Sequence, residues 1–390
     1  MTSPATENPI RYFDHAASSW PKPDAVIKAM DLAMRELGGN PGRGVHELAL
    51  RTSRAVFEAR GACARYLGVP DARDLMFVPS CTAACNLVLK GLLRPGDRVV
   101  VGSMEHNAIT RPLATLAAAG VEVVVVHADP TGFIDPDHAE KAVAAAPTRA
   151  VICQHASNVT GTIQAVGDLA DIAHAHGAVM IVDGAQAGGH LSVDLGSLGA
   201  DAYLLSGHKG LLGPQGIGLM YLSARIDPDP LVEGGTGGAF SLEEGETAER
   251  PERYEAGTLN TPGIIGLGAG VGFLGEHGEE LRRLELELTF RLIEGLAQTP
   301  GVRVLGPPTG VERVPVVSIV HDKLAADEIA FALDRQARIA CRPGLHCSPW
   351  AHRTVGTLES GTVRFSIGHG ISVADADYLI GSLERVVASH

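Results

Sequence analysis

Short runs of apolar, β-branched residues recur along the first half of the chain, with helical patterns between them. Leu75–Pro79, Arg98–Gly102, Val121–His127, Arg149–Cys153, Ala178–Asp183 and Asp201–Ser206 read as strands, and Ile217–Leu222 adds a seventh. Their apolar positions are continuous, not alternating, which is the pattern of strands buried on both faces of a mostly parallel sheet. Ala83–Leu93, Asn107–Ala119 and Val166–His176 carry apolar residues at helical spacing. Strand and helix in alternation predict an α/β layered domain.

From Arg225 to Gly263 the pattern breaks. The stretch is rich in Gly, Pro and Glu and includes Gly234-Gly235-Thr236-Gly237-Gly238. A loop of that length is either functional or disordered. A glycine-rich helix and a long amphipathic one, Gly278–Thr299, come next. Beyond Gly301, strands Val302–Leu305, Val314–Val320, Ala337–Cys341 and Thr362–Ile367 interleave with helices Ala325–Asp334 and Val373–Ser389. This reads as a smaller α/β domain. The expected division is a large domain over residues 20–262 and a small one made of 1–19 with 263–390.

Composition sharpens the picture in three ways. With 45% hydrophobic and 20% charged residues over 390 positions, the chain has an ordinary globular composition and builds a sizeable core. Its net charge of −13, with no basic run, excludes nucleic acid and anionic membrane as partners. The uncharged stretch Ala256–Gly275 is too polar and glycine-rich to span a bilayer. The N-terminus lacks a signal pattern, so a cytoplasmic location is expected. Six cysteines in a chain this long do not make a disulfide scaffold. No C-x-x-C pair occurs, so no metal site is expected.

Four places carry candidate chemistry. Ser206-Gly207-His208-Lys209 directly follows a strand. Its glycine-rich sequel is not a Walker loop, because the lysine precedes the glycines. A lysine at a strand end is most often a surface residue. One sunk at the carboxyl ends of a parallel sheet has a lowered pKa and forms Schiff bases with carbonyl cofactors. Ile181-Val182-Asp183-Gly184-Ala185-Gln186 delivers Asp183 to the same edge, where open α/β sheets bind ligands. Alone, Asp183 reads equally well as a helix cap. Beside Lys209 it makes the pair that pyridoxal phosphate needs, the acid keeping the pyridine nitrogen protonated.

Pro79-Ser80-Cys81-Thr82-Ala83-Ala84-Cys85-Asn86 places small residues at a helix N-terminus, whose free N–H groups suit a phosphate. Ser206 and His208 are placed to complete that cup. Cys341-Arg342-Pro343-Gly344-Leu345-His346-Cys347 puts Cys347 on a loop punctuated by Pro and Gly. Cysteine is most often an inert buried hydrophobe. Here Arg342 and His346 are expected to favour the nucleophilic thiolate. A disulfide or metal pair with Cys341 is the other reading, disfavoured in a reducing compartment.

With these stretches, Tyr12-Phe13-Asp14-His15-Ala16-Ala17, Arg43-Gly44-Val45-His46, Glu105-His106-Asn107, Ser157-Asn158-Val159-Thr160-Gly161-Thr162 and Glu255-Ala256-Gly257-Thr258-Leu259-Asn260-Thr261 resemble the class V aminotransferases. The resemblance runs from Tyr12 to Arg364. Within that family, the Arg342-x-Gly344-x-His346-Cys347 loop resembles the group II cysteine desulfurases and selenocysteine lyases. It implies pyridoxal phosphate fold type I: a large domain with a mostly parallel seven-stranded sheet between helices, and a smaller α/β C-terminal domain. It also implies conversion of L-cysteine to L-alanine with a persulfide on Cys347.

The resemblance assigns roles position by position. Lys209 holds the cofactor and shuttles protons, and His106 stacks on its ring as an acid/base. Asp183 pairs with the pyridine nitrogen and Gln186 with the ring hydroxyl. Thr82, Ser206 and His208 hold the phosphate, with Cys81 in the same loop. Thr258 reaches the phosphate of the partner subunit in a homodimer. Asn158 and Arg364 grip the substrate carboxylate, and Arg43 and His46 line the entrance. A sulfur-acceptor protein is implied as a partner. Without the resemblance, His106 reads as a locally satisfied strand-end histidine, and Arg43 and His46 as a solvated loop.

Three stretches depart from the usual family pattern, among them the tail Ser348-Pro349-Trp350-Ala351-His352, which resembles a less characterised desulfurase-like subgroup. The phosphate loop reads Cys81-Thr82-Ala83 where relatives carry Thr or Asn and then an acid, and Leu345 stands where a second histidine is common. Rival activities are a selenocysteine lyase and a transaminase, epimerase or C–S lyase with Cys347 as a bystander. A non-catalytic scaffold is disfavoured by the presence of Lys209, Asp183 and His106 together.

Overall fold

The computed structural model describes residues 9–42, 44–235 and 249–389. A short strand β1 (Arg11–Tyr12) is followed by helices α1 (Asp24–Glu36) and α2 (Glu47–Tyr66). Strand β2 (Leu75–Val78) leads into α3 (Cys81–Leu92), β3 (Arg98–Gly102) into α4 (Asn107–Ala118), and β4 (Glu122–Val126) into α5 (Pro136–Ala144). Then come β5 (Ala150–Gln154), α6 (Val166–Ala175), β6 (Val179–Asp183), β7 (Ala202–Ser206) and β8 (Gly218–Leu222). After α7 (Thr261–Ala297) the chain runs β9 (Val302–Val304), β10 (Val316–His321), α8 (Ala326–Ala337), β11 (Ile339–Ala340), β12 (Arg342–Gly344), α9 (Pro349–Thr354), β13 (Thr362–Ser366) and α10 (Val373–Ala388).

The seven strands β2 to β8 form one sheet in the order β2-β8-β7-β6-β5-β3-β4. Only β8 runs against the rest, pairing antiparallel with β2 and β7. The continuous apolar runs are explained by burial on both faces. Met76, Val99, Ile152, Ile181 and Leu204 face α3 and α4, while their neighbours Phe77, Val100, Val151, Val182 and Leu205 face the layer containing α6 and the start of α7. At about 25 cal/mol per Å² of apolar surface, this two-sided burial is the main favourable term in the fold. Strand β4, at the sheet edge, is the one partly exposed.

The glycine-rich and amphipathic stretches after the loop are one helix, the 37-residue α7. Its glycines permit close packing. A Cβ on Gly268 would lie 2.9 Å from the Ala59 side chain of α2, and one on Gly270 only 2.6 Å from the Leu211 carbonyl oxygen. Helices α1, α2 and α5 add to those the patterning outlined. The C-terminal strands form a second, antiparallel sheet in the order β12-β13-β10-β9. Strand β1 pairs with β11, and Phe13 is buried with Leu292, Ile319 and Phe365, so the N-terminal segment packs into this C-terminal core. Among the described residues no helix is long and apolar enough to cross a membrane.

Candidate active site

Six of the seven large-sheet strands end at one edge, and the residues that follow them converge there. One cleft is lined by Cys81, Thr82, His106, Asn158, Asp183, Gln186, Ser206 and Lys209. All eight were singled out by the sequence. Ala108, Gln154, Ala156 and Ala185 complete the wall and were not.

Each side chain is placed by its strand end. Asp183 is the last residue of β6 and is buried; its Oδ1 accepts from Ala185 N at 2.9 Å and from Cys81 Sγ at 3.5 Å. Ser80 caps α3, its Oγ accepting from Ala83 N at 3.1 Å, so Cys81 and Thr82 open the helix toward the cleft. Lys209 lies in the turn after β7. Burial lowers its pKa, against the opposing pull of Asp183, and Arg364 and Arg342 lower it further. A depressed amine is the state a Schiff-base lysine needs.

His106 caps α4, and its Nδ1 accepts from Ala108 N at 3.0 Å. That bond leaves the proton of the neutral ring on Nε2. Burial, helped by Lys209, brings its pKa down to about 4, so the ring is neutral at pH 7. Beneath it Glu105 is fully buried, with Oε1 accepting from Gln154 N at 2.7 Å. Desolvation raises its pKa well above the usual carboxylate range. Its role was not legible, because nothing in the local pattern marks a buried carboxyl.

Cys347 is exposed beside the cleft, between β12 and α9. Arg342 Nη2 approaches its sulfur to 3.6 Å, and its carbonyl oxygen accepts from Asn107 N, next to His106, at 2.8 Å. His346 and Cys347 have φ of 50° and 59°, left-handed values that non-glycine residues adopt at a cost of about 1–3 kcal/mol each. The loop is held in that shape from below. Asn158 Nδ2 donates to the His346 carbonyl at 2.8 Å, and Ser348 Oγ donates to Asn158 Oδ1 at 2.8 Å. His346 does not face the sulfur as a cation. It is buried, its Nε2 lies 2.7 Å from Thr362 Oγ1, and desolvation lowers its pKa to about 2. Of the two neighbours expected to favour the thiolate, Arg342 is the one that reaches it.

Arg364, on β13, is 1% exposed and has a partner in this chain: its Nη2 donates to Asp14 Oδ1 at 2.8 Å and its Nη1 to the Asn158 carbonyl at 3.2 Å. Its Nε has no hydrogen-bond partner. Gln186 Nε2 donates to the Ala16 carbonyl at 3.1 Å. Cys347 and Arg364 are outside the lining of the cleft, as are His208, Thr258 and His46. His208 is next to it, with Nδ1 unpartnered. Thr258 is exposed in a separate hollow lined by Phe77, Leu87 and Tyr254. His46 is exposed and caps α2, its Nδ1 accepting from Ala49 N at 3.3 Å. Arg43 lies outside the described residues.

Residues 11–379 match the sequence profile of the family described as Aminotransferase class-V. The chain belongs to this family. It is 36% identical over 384 residues to a "probable cysteine desulfurase" of Methanothermobacter thermautotrophicus, covering 96% of this chain and 94% of the relative. A cysteine desulfurase of Salmonella dublin is 35% identical over 350 residues, 87% of this chain and 84% of its own. Among solved structures, the apo cysteine desulfurase of Thermococcus onnurineus superposes with a TM-score of 0.91 at 33% identity, over 98% of this chain and 95% of the other. The fold is that of the class V aminotransferases, pyridoxal phosphate fold type I.

Proposed function

We propose that this class V aminotransferase is a pyridoxal-phosphate-dependent cysteine desulfurase that converts L-cysteine to L-alanine. The observation that carries the reading is the exposed Cys347, held beside the Lys209 cleft with Arg342 Nη2 3.6 Å from its sulfur. Relatives named cysteine desulfurase over nearly the whole chain support it.

The donor set fits the cofactor. A lysine with a depressed pKa, a buried carboxylate and a helix N-terminus surround one cleft, and the unpartnered Nδ1 of His208 lies at its rim. Lys209 would hold the group covalently, Asp183 its ring nitrogen, Gln186 its hydroxyl, and Thr82, Ser206 and His208 its phosphate. When bound, the cofactor supplies an electron sink that acidifies the Cα–H of an amino acid joined through its amine.

The chain's own residues then act in sequence. Arg364 and the second amide N–H of Asn158 orient the substrate carboxylate. Lys209 Nζ takes the α-proton and later returns it. The Cys347 thiolate, steadied by Arg342, attacks the substrate sulfur. An S–S bond forms, the C–S bond breaks, and its electron pair stays with the carbon skeleton. The further proton that completes alanine comes from solvent, relayed at His106 Nε2, so that the ring ends the step neutral as it began. The persulfide remains on Cys347 for an acceptor protein. The reading includes a cytoplasmic homodimer in which Thr258, exposed in the single chain, meets the phosphate of the partner subunit.

The test is alanine release from L-cysteine by wild type and Cys347→Ala at equal cofactor occupancy, with mass spectrometry of the Cys347 peptide. A mass gain of one sulfur on Cys347 and loss of alanine release in the variant are expected. Rates that agree within a few-fold would show that the persulfide mechanism is wrong.

A further inference from the structure

Cys81, Cys85 and Asp183 form the one cluster of metal-ligating side chains found among the described residues, and all three are buried. Helix α3 puts the two cysteines one turn apart on the same face. Their sulfurs are 4.0 Å apart, and Cys81 Sγ is 3.5 Å from Asp183 Oδ1. One ligand atom from each residue lies within 4.8 Å of the others. A tetrahedral zinc with Zn–S near 2.3 Å needs S···S edges of about 3.8 Å and S···O edges of about 3.6 Å. The resting geometry is therefore within a few tenths of an ångström of two of the three edges. The C-x-x-C rule missed it because the spacing is one residue longer and the third ligand comes from another strand.

We infer that the cofactor-free chain binds one thiophilic divalent cation, with zinc as the probe, through Cys81 Sγ, Cys85 Sγ and Asp183, and that this metal and the cofactor exclude each other. Two thiolates and a carboxylate favour zinc over magnesium or calcium, which take oxygen ligands. Binding releases two thiol protons and forms two Zn–S bonds and one Zn–O bond. Solvent or a buffer ligand completes the coordination from the cleft, which Cys81 and Asp183 line. Asp183 is already oriented by Ala185 N at 2.9 Å, the kind of outer bond that fixes a ligand. Exclusion follows because Asp183 cannot serve the metal and the pyridine nitrogen together. This half of the inference rests on the cofactor reading above.

The experiment uses the full chain in a Cys347→Ala background, which removes the exposed thiol. Cofactor is stripped with a carbonyl reagent, and zinc is titrated against a chromophoric chelator. One zinc per chain is expected, with affinity at least about 100-fold weaker in the added Cys85→Ser variant, since losing an outer partner alone costs 10–100-fold. Cofactor uptake, read by absorbance, should be blocked by zinc in the parent, restored by chelator, and indifferent to zinc in Cys85→Ser. That uptake also shows the variant is folded. Cobalt titration of the parent, which needs no further variant, should give thiolate-to-cobalt charge-transfer absorption. Equal zinc affinity in parent and variant, no such absorption, or one zinc retained by the cofactor-loaded parent would each overturn the inference. A parent that takes up no cofactor in the absence of zinc would instead sink the proposed function, while the metal titrations still read.

Discussion

Ser348 is fully buried, and its hydroxyl holds Asn158 Oδ1 at 2.8 Å under the left-handed turn that carries Cys347. Ser348→Ala leaves that amide oxygen without its donor, at about 1–3 kcal/mol. If the loss falls on the loop, sulfur transfer slows by about 5- to 150-fold. Single-turnover alanine release should show this drop while cofactor absorbance is unchanged; an unaltered rate would mean the hydroxyl does not position the loop. The residues that the fold gathers in and beside the cleft were legible because the sequence marks them. Asp183 ends a strand, Lys209 lies in the turn after one, Cys347 follows Pro and Gly, and Thr82 lies in the first turn of a helix. The hidden part lies in pairings between distant segments. Asp14 meets Arg364, and Asn158 meets the Cys347 loop, and no local pattern announces either contact.

At the scale of elements, the strands were legible because burial on both faces leaves a continuous apolar run, and turns or helix starts bound each one. The single helix α7 was not, because its glycines serve close packing that becomes visible only against α2 and the Leu211 turn. Another unannounced device ties three elements together. Arg60 of α2 makes a bidentate pair with Glu255 at 2.7 and 2.8 Å, and Glu255 Oε1 also accepts from Phe77 N on β2 at 2.6 Å. Arg60 Nη1 donates in turn to the Leu75 carbonyl at 2.6 Å. Both side chains are largely buried, so the Thr258 loop is anchored by an ion pair with little access to water. Removing one partner of such a pair strands the other, at about 3–5 kcal/mol. Glu255→Ala should therefore lower the urea midpoint sharply. A midpoint within error of wild type would mean that water reaches Arg60.

At the scale of the whole molecule, the unused histidines set a pH limit. Burial holds His15 at a pKa of about 3, His155 at about 4 and His346 at about 2, and His106, His208 and His352 move the same way, each to about 4. An unfolded histidine titrates near 6.5. Between pH 4 and 6.5 the unfolded chain therefore binds more protons than the folded one, and stability falls as pH falls. The sign is the reverse for Glu105, whose pKa burial raises, so its titration opposes that of the histidines. Even with a full proton of opposition from Glu105, His15, His155 and His346 leave a balance of two protons, or roughly 3 kcal/mol per pH unit. A domain with a total of about 5–15 kcal/mol loses much of its margin within that window. The unfolding midpoint in urea should drop steeply from pH 6.5 to 5. In His15→Asn the slope should lessen by one proton, about 1.4 kcal/mol per pH unit. A wild-type midpoint that stays level to pH 5 would mean the histidines are solvated, and with them the buried floor of the cleft.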